Sequence, residues 1–218
     1  MLELTLPSAR RRATRVLCLG AHCDDIEIGC GGTLLKLLGR GGRWDVTWCV
    51  FSSNRQRELE LRSSARRFLR RAAHTRVLAY EFRDTLFPAE YAALKDTFES
   101  LKQLPPPDIV FTHHRADLHQ DHRLIGELTW NAFRRHLILE YEIPKYEGGL
   151  TTPNAYVQLT RGQAATKMRT LLGSYPSQRS KPWFQADTFG ALMRLRGVEA
   201  GPGTGWAEGF HVAKLNFA

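Results

Sequence analysis

The chain has 218 residues, of which 43% are hydrophobic and 24% charged, and a formal net charge of +9. This is the composition of an ordinary globular protein, long enough for one large α/β domain with a sizeable core. Its apolar runs are too short to span a bilayer and its start lacks the apolar stretch of a secretory signal, so the expectation is a cytoplasmic protein with no transmembrane segment.

In chain order, residues 1–12, with Arg10, Arg11 and Arg12, read as an exposed basic arm ahead of a single domain over 13–218. Residues 16–19 predict a buried strand ending at Gly20. A loop through Ala21, His22, Cys23, Asp24 and Asp25 follows, then a helix that begins over 33–38 and stops near Gly41 and Gly42. Residues 45–51, rich in Val, Trp and Thr, predict a second strand. The segment 55–73 predicts an amphipathic helix. Leu61, Ala65, Phe68 and Ala72 recur at helical spacing, Arg62, Arg66 and Arg70 line another face, and Glu58 sits four residues before Arg62. A strand at 76–82, a helix at 89–104 stopped by three prolines, a strand at 108–112, a helix at 121–135 and a strand at 137–142 follow. Beyond Pro144 the pattern weakens: a loop to residue 154, helices at 164–172 and 184–195, a Gly/Pro-rich stretch at 197–204, and an alternating segment at 210–217 that reads as an edge strand.

Strands alternating with helices imply βαβ units, hence an α/β fold with a mostly parallel sheet and helices on both faces. Ligands of such sheets bind outside the carboxyl ends of the strands. The two blocks richest in imidazole and carboxylate fall at such ends: A-H-C-D-D-I-E-I-G-C-G-G-T from Ala21, and H-H-R-A-D-L-H-Q-D-H-R from His113. The glycines of the first block do not make a dinucleotide fingerprint, because adjacent carboxylates would repel a pyrophosphate. They serve better to let backbone elements approach closely.

A metal reading explains both blocks. His22 and Asp25 can converge on one ion, and His119 and His122 lie three apart at a helix start. His22, Asp25 and one histidine of the second block leave a fourth position open, as in catalytic zinc sites. Asp24 is then the spare carboxylate that can move a proton. Against this, a single histidine is commonly a hydrogen-bonded structural residue, and Asp24, Asp25 or Asp117 alone could cap a helix. The cysteines, Cys18, Cys23, Cys30 and Cys49, fit neither a zinc-finger spacing nor a disulfide framework, and a thiolate-held metal is the lesser reading.

The segment 21–33 resembles the A-H-P-D-D-x-E-x-G-C-G-G-T signature of the PIG-L (LmbE-like) N-acetylglucosamine deacetylases. Residues 117–123 resemble that family's D-x-H-x-D-H-R, Arg57 and Glu60 its R-x-x-E, and the stretch from Ala207 to Leu215 its A-E-x-F-x-V-x-K-L tail. The resemblance implies a Rossmann-like three-layer zinc deacetylase with one Zn²⁺ per chain, another divalent metal remaining open. By position, His22, Asp25 and His122 would hold the metal and Asp24 would be the general base. His119 would stand beside the ion without binding it and stabilise the oxyanion. Asp121 would orient a ligand histidine, and Asp117 would be a further site residue. Arg57, Glu60, Glu208 and His211 would border the sugar. One departure is that Cys23 stands where the family has proline, which would free the loop or bring a thiol near the metal.

The expected function is removal of an N-acetyl group from an N-acetylglucosaminide-type substrate, a small molecule, with a homo-oligomer left open. A metallohydrolase of anionic esters and a non-catalytic metal- or sugar-binding protein are the alternatives. No nucleic-acid signature is present. The arginine-rich helix reads first as a solvated face. Arg55 and Arg57, which open it near the crevice, suggest a substrate with a negative group.

Overall fold

The structure, a computed structural model, describes residues 3–5 and 12–216. In chain order it contains β1 (Thr14–Gly20), α1 (Asp25–Gly39), β2 (Trp44–Val50), α2 (Arg55–Phe68) and β3 (His74–Ala79). A 3-10 turn (Phe87–Glu90) leads into α3 (Tyr91–Leu101), followed by β4 (Ile109–His113), α4 (Gln120–Phe133), β5 (Leu137–Tyr141) and β6 (Ala155–Gln158). The chain closes with α5 (Arg161–Ser174), a second 3-10 turn (Pro176–Gln178), α6 (Ala186–Glu199) and β7 (Ala207–His211). One sheet runs in the order β3-β2-β1-β4-β5-β7-β6. Strands β1 to β5 are parallel, and β7 is antiparallel to both β5 and β6.

Strand alternation builds the three layers. Val16 and Cys18 of β1, with Val46 and Trp48 of β2, face a core shared with α1, α2, α5 and α6. Leu17, Leu19, Cys49 and Val110 face the opposite core, formed with α3 and α4. Leu61, Ala65 and Phe68 of α2 are buried while Arg62, Arg66 and Arg70 are exposed, as the helical spacing requires, and Arg62 pairs with Glu58 at 2.7 Å. Among the described residues no helix is long and apolar enough to cross a membrane.

The structure corrects the sequence reading in two places. The first motif is not a loop leading to a helix near Thr33: α1 starts at Asp25, so most of the motif is helical. Glycine is about 1 kcal/mol poorer than alanine in a helix, which conceals that start, but packing requires it here. A Cβ on Gly29 would lie 2.2 Å from the Tyr141 ring, and one on Gly32 would lie 2.4 Å from Leu159. Second, the final strand is not an edge. β7 lies between β5 and β6, with Ala207 and Phe210 fully buried. The edge is β6, a four-residue strand with no apolar run to announce it. Most of the expected basic arm, residues 1–2 and 6–11, lies outside the described residues, as does Phe217. Arg12, at its end, is docked by a two-pronged contact with Asp108 at 2.6 and 2.7 Å.

The strand order reverses on either side of β1 and β4. Their carboxyl ends therefore open a crevice into which Gly20 delivers the first motif and His113 the second.

Candidate metal and acyl-transfer site

The two motifs meet across that crevice. His22 and Asp25 lie at the turn into α1, where Asp25 Oδ2 accepts the His22 backbone N–H at 2.6 Å. His119 caps α4, its Nδ1 accepting the Asp121 N–H at 3.2 Å, and His122 sits in the first turn of that helix. His22 Nδ1 is 3.2 Å from His122 Nε2 and 3.5 Å from Asp25 Oδ2, and His122 Nε2 is 3.6 Å from Asp25 Oδ1. Donors around a tetrahedral ion at about 2.0–2.1 Å lie about 3.3–3.4 Å apart; the pairwise separations are of that order, with Asp25 turning a different oxygen toward each histidine.

The outer nitrogens support the same fit. His22 Nε2 faces Asp84 Oδ1 at 2.9 Å and Asp121 Oδ2 at 3.3 Å, and His122 Nδ1 faces Asp117 Oδ2 at 3.3 Å. Carboxylates there hold the ring protons on the outer nitrogens and turn two lone pairs inward, toward each other and toward Asp25. A cation resolves that opposition. Burial lowers His122 to about 3, helped by His113 and opposed by Asp25 and Asp117, so its imidazole is neutral, as a ligand must be. Burial likewise works against a charged His22, yet Asp121, Asp25 and Asp84 raise it well above the ordinary range. Without an ion, a proton takes the cation's place.

Asp24 lies beside this group. Its Oδ1 accepts from Arg57 at 2.7 Å, while its Oδ2 is buried with no hydrogen-bond partner. Burial also lowers His119, aided by the charge at His22, which leaves a neutral ring. With Nδ1 accepting, its proton is on Nε2. Asp121 accepts the Thr85 and Phe87 N–H groups at 2.7 and 3.2 Å, so it ties the segment after β3 to α4 as well as orienting His22. Asp117 is buried, and His122 and Lys145 hold its carboxyl below the usual range against the effect of burial.

Other expected residues stand elsewhere. Arg57 donates to Asp24 through one terminal nitrogen while its Nε is buried with no hydrogen-bond partner, and Arg55 is exposed. Glu60 accepts from Ser177 N and Oγ at 2.9 and 2.5 Å, joining α2 to the turn after α5. Glu208 is buried beneath α1, accepting from Gly32 N, Thr33 N, Thr33 Oγ1 and Lys167, a fully engaged structural anchor. His211 stacks on His114 with centroids 3.8 Å apart and meets Thr151 Oγ1 at 2.7 Å. Cys23 is buried against Ser52 O and Ser53 Oγ, burial pushes its thiol up to about 12, and among the described residues it joins none of the groups that could hold an ion.

Sequence reading missed His113, Asp84 and Lys145. His113 Nε2 lies 3.0 Å from Asp25 Oδ2, and its ring stacks on His122 at 4.0 Å. Asp84 is presented by Thr85, whose φ of 67° places a non-glycine residue in the left-handed region. The strand-end rule that located the motifs also covers His113, the last residue of β4, and Asp84, which follows β3. Three overlapping groups of side chains could hold a cation, His22/His119/His122, Asp25/His113/His122 and His22/Asp84/His119/Asp121, and among the described residues no cysteine joins any of them.

Comparison with known proteins agrees with this geometry. The family described as PIG-L: GlcNAc-PI de-N-acetylase matches residues 17–133, more than half of the chain. An uncharacterized deacetylase, YaiS, of Escherichia coli (strain K12) is 29% identical over 151 residues, covering 66% of this chain and 82% of that protein. The N,N'-diacetylchitobiose deacetylase of Pyrococcus horikoshii superposes with a TM-score of 0.67 at 22% identity, over 95% of this chain and 86% of that one. GalB, the 4-carboxy-2-hydroxymuconate hydratase of Pseudomonas putida KT2440, superposes with a TM-score of 0.70 at 14% identity, over 94% and 98%. The last two likenesses establish the fold alone.

Proposed function

We propose, from the premise that this chain belongs to the PIG-L family of de-N-acetylases, that it is a divalent-metal hydrolase removing an N-acetyl or similar N-acyl group from an amino sugar. The observation that carries the reading is the convergence of His22 Nδ1, His122 Nε2 and Asp25 beside the unpartnered Asp24 Oδ2. In this reading His22, Asp25 and His122 hold one Zn²⁺ or a similar ion, which when bound supplies Lewis acidity toward the amide carbonyl and toward water.

The chain's own residues do the rest. Asp24 Oδ2 takes the proton of the attacking water and can pass it to the departing amine nitrogen. Arg57 fixes Asp24 through Oδ1, so the bare oxygen is the one presented. His119, neutral with its proton on Nε2, donates to the oxyanion that develops on the amide oxygen. Asp121 and Asp117 keep the rings of His22 and His122 turned with their lone pairs inward. The amino-sugar substrate is inferred from the family's description and from the diacetylchitobiose deacetylase among the fold's neighbours.

A panel of N-acetylated amino sugars and their conjugates, assayed for free amine and acetate, tests the reading. Release from at least one glucosaminide supports it, and none from any member rejects it. The candidate cation group that includes Asp84 favours one competing reading, a two-metal hydrolase of anionic esters. Asp121 already accepts two backbone N–H groups there, which leaves it little capacity for an ion. A metal content of two per chain with phosphatase activity would favour that alternative.

A further inference from the structure

Lys145 lies in the irregular segment between β5 and β6, which carries none of the motif residues, yet its side chain is only 9% exposed. Its ammonium donates to Asp117 Oδ2 at 2.8 Å and to Ile143 O at 2.8 Å. The same Asp117 oxygen faces His122 Nδ1 at 3.3 Å, and the other accepts the His119 N–H at 2.8 Å. One carboxylate thus sets both the His122 ring and the backbone at His119, and Lys145 is the only cation that grips it other than through those histidines, among the ion pairs of the described residues. The segment seats itself at this point. Gly148 N closes a turn onto Lys145 O, and Gly149, at φ 82°, packs so closely that a Cβ would lie 2.8 Å from Leu118 Cγ.

We propose that Lys145 is a positioning residue for the candidate metal centre: by clamping Asp117 it fixes the orientation of His122, so the metal-binding geometry depends on a loop outside both motifs. The proposal rests on the proposed function for the identity of the ion, but not for the orientation of the ring. A buried carboxylate deprived of its cation is free to rotate or draw in water, and His122 loses its fixed partner. Groups that orient a ligand histidine typically affect metal affinity about 10–100-fold.

The test compares Lys145→Met, Lys145→Arg, Asp117→Asn and the Lys145→Met/Asp117→Asn double variant. Zinc affinity is measured by chelator competition, the visible spectrum of the cobalt-loaded protein is recorded, and the His122 tautomer in metal-free protein is read from ¹⁵N imidazole shifts. The expected result is about 10–100-fold weaker zinc binding and a changed cobalt spectrum for Lys145→Met, with substantial recovery in Lys145→Arg. The Nδ1–H tautomer of His122 should dominate in the parent and become mixed in Lys145→Met. Within the Asp117→Asn background, Lys145→Met should cause little further loss. Parent-like affinity, spectrum and tautomer in Lys145→Met, even with a lowered melting temperature, would make Lys145 a mere loop staple and overturn the proposal. So would an equal loss in both backgrounds. If the parent binds no metal but Lys145→Met still scrambles the tautomer, the positioning role stands and the metal reading fails. If folding of the Met variant is impaired, Lys145→Gln carries the same measurements.

Discussion

At the scale of single residues, the division of labour between Asp24 and Asp25 rests on what each oxygen meets. Asp25 is surrounded by His22, His113 and His122, while Asp24 meets Arg57 through one oxygen and nothing through the other. Asp24→Asn should therefore keep the metal and lose about 10²–10⁴-fold in kcat, the usual contribution of a general base. Metal analysis alongside kinetics checks this, and metal lost in step with rate would make Asp24 a ligand. His119→Ala should lower kcat by about 10²–10³-fold, the range for one oxyanion donor, with metal content unchanged. His119 stands within reach of His22 and His122, so loss of the ion in that variant would place it among the ligands instead.

At the scale of elements, α1 links the site to the core. Gly29 lies against Tyr141, whose hydroxyl donates to Leu19 O at 2.6 Å and whose ring is fully buried. Gly29→Ala gains up to about 1 kcal/mol of helix propensity, but the 2.2 Å approach forces a shift typical of overpacking, about 1–3 kcal/mol. The clash should win, and urea unfolding should show a lower midpoint with an unchanged slope. One turn earlier, Tyr175 has a single hydroxyl proton but two acceptors, Cys23 O and Glu27 Oε1, so a proton on Glu27 completes the set. Burial pushes the Glu27 carboxyl up to about 8 in agreement. The folded state then holds a proton that the unfolded chain releases near 4.5. The associated stability is present in full below that value and is lost as pH rises through about 8. In metal-free protein, Glu27→Gln should flatten the fall in stability between those two values. An unchanged pH profile would contradict a protonated Glu27.

The legibility of these elements follows from their physics. β1 to β5 carry apolar runs or alternation, and α2 shows its buried stripe of Leu61, Ala65 and Phe68, so periodicity placed them within a few residues. The start of α1 was hidden because its glycines are chosen for close packing against Tyr141 and Leu159, contacts that lie far off in sequence. β6 and the interior place of β7 depend on strand pairing that local pattern does not encode. In the site, His22, Asp24, Asp25, His119 and His122 stood out because two short blocks bring them together, whereas Lys145 reaches Asp117 from a loop with no signature of its own.

At the scale of the whole molecule, the +9 charge divides into unequal parts. Arg57, Arg196 and Lys167 are spent inside on Asp24, Glu142 and Glu208, and Arg62 is spent along its own helix. Arg55, exposed at the start of α2, is one cation that could meet an anionic group on a substrate. If it acts so, kcat/KM for an anionic N-acetylglucosaminide should exceed that of a neutral analogue and fall more steeply with salt. Equal values with equal salt dependence would leave the charge as a property of the surface.

The fold alone does not decide the reaction, since a hydratase and a deacetylase superpose on it about equally well. In the proposed reading the decision belongs to a bound ion and the two aspartates. The most direct measurement is a titration of Zn²⁺ into metal-free protein while amine release from an N-acetylated amino sugar is followed. Release should be absent without metal and should rise to a break at one ion per chain. Full release from metal-free protein, or a break at two ions, would contradict the proposed reading.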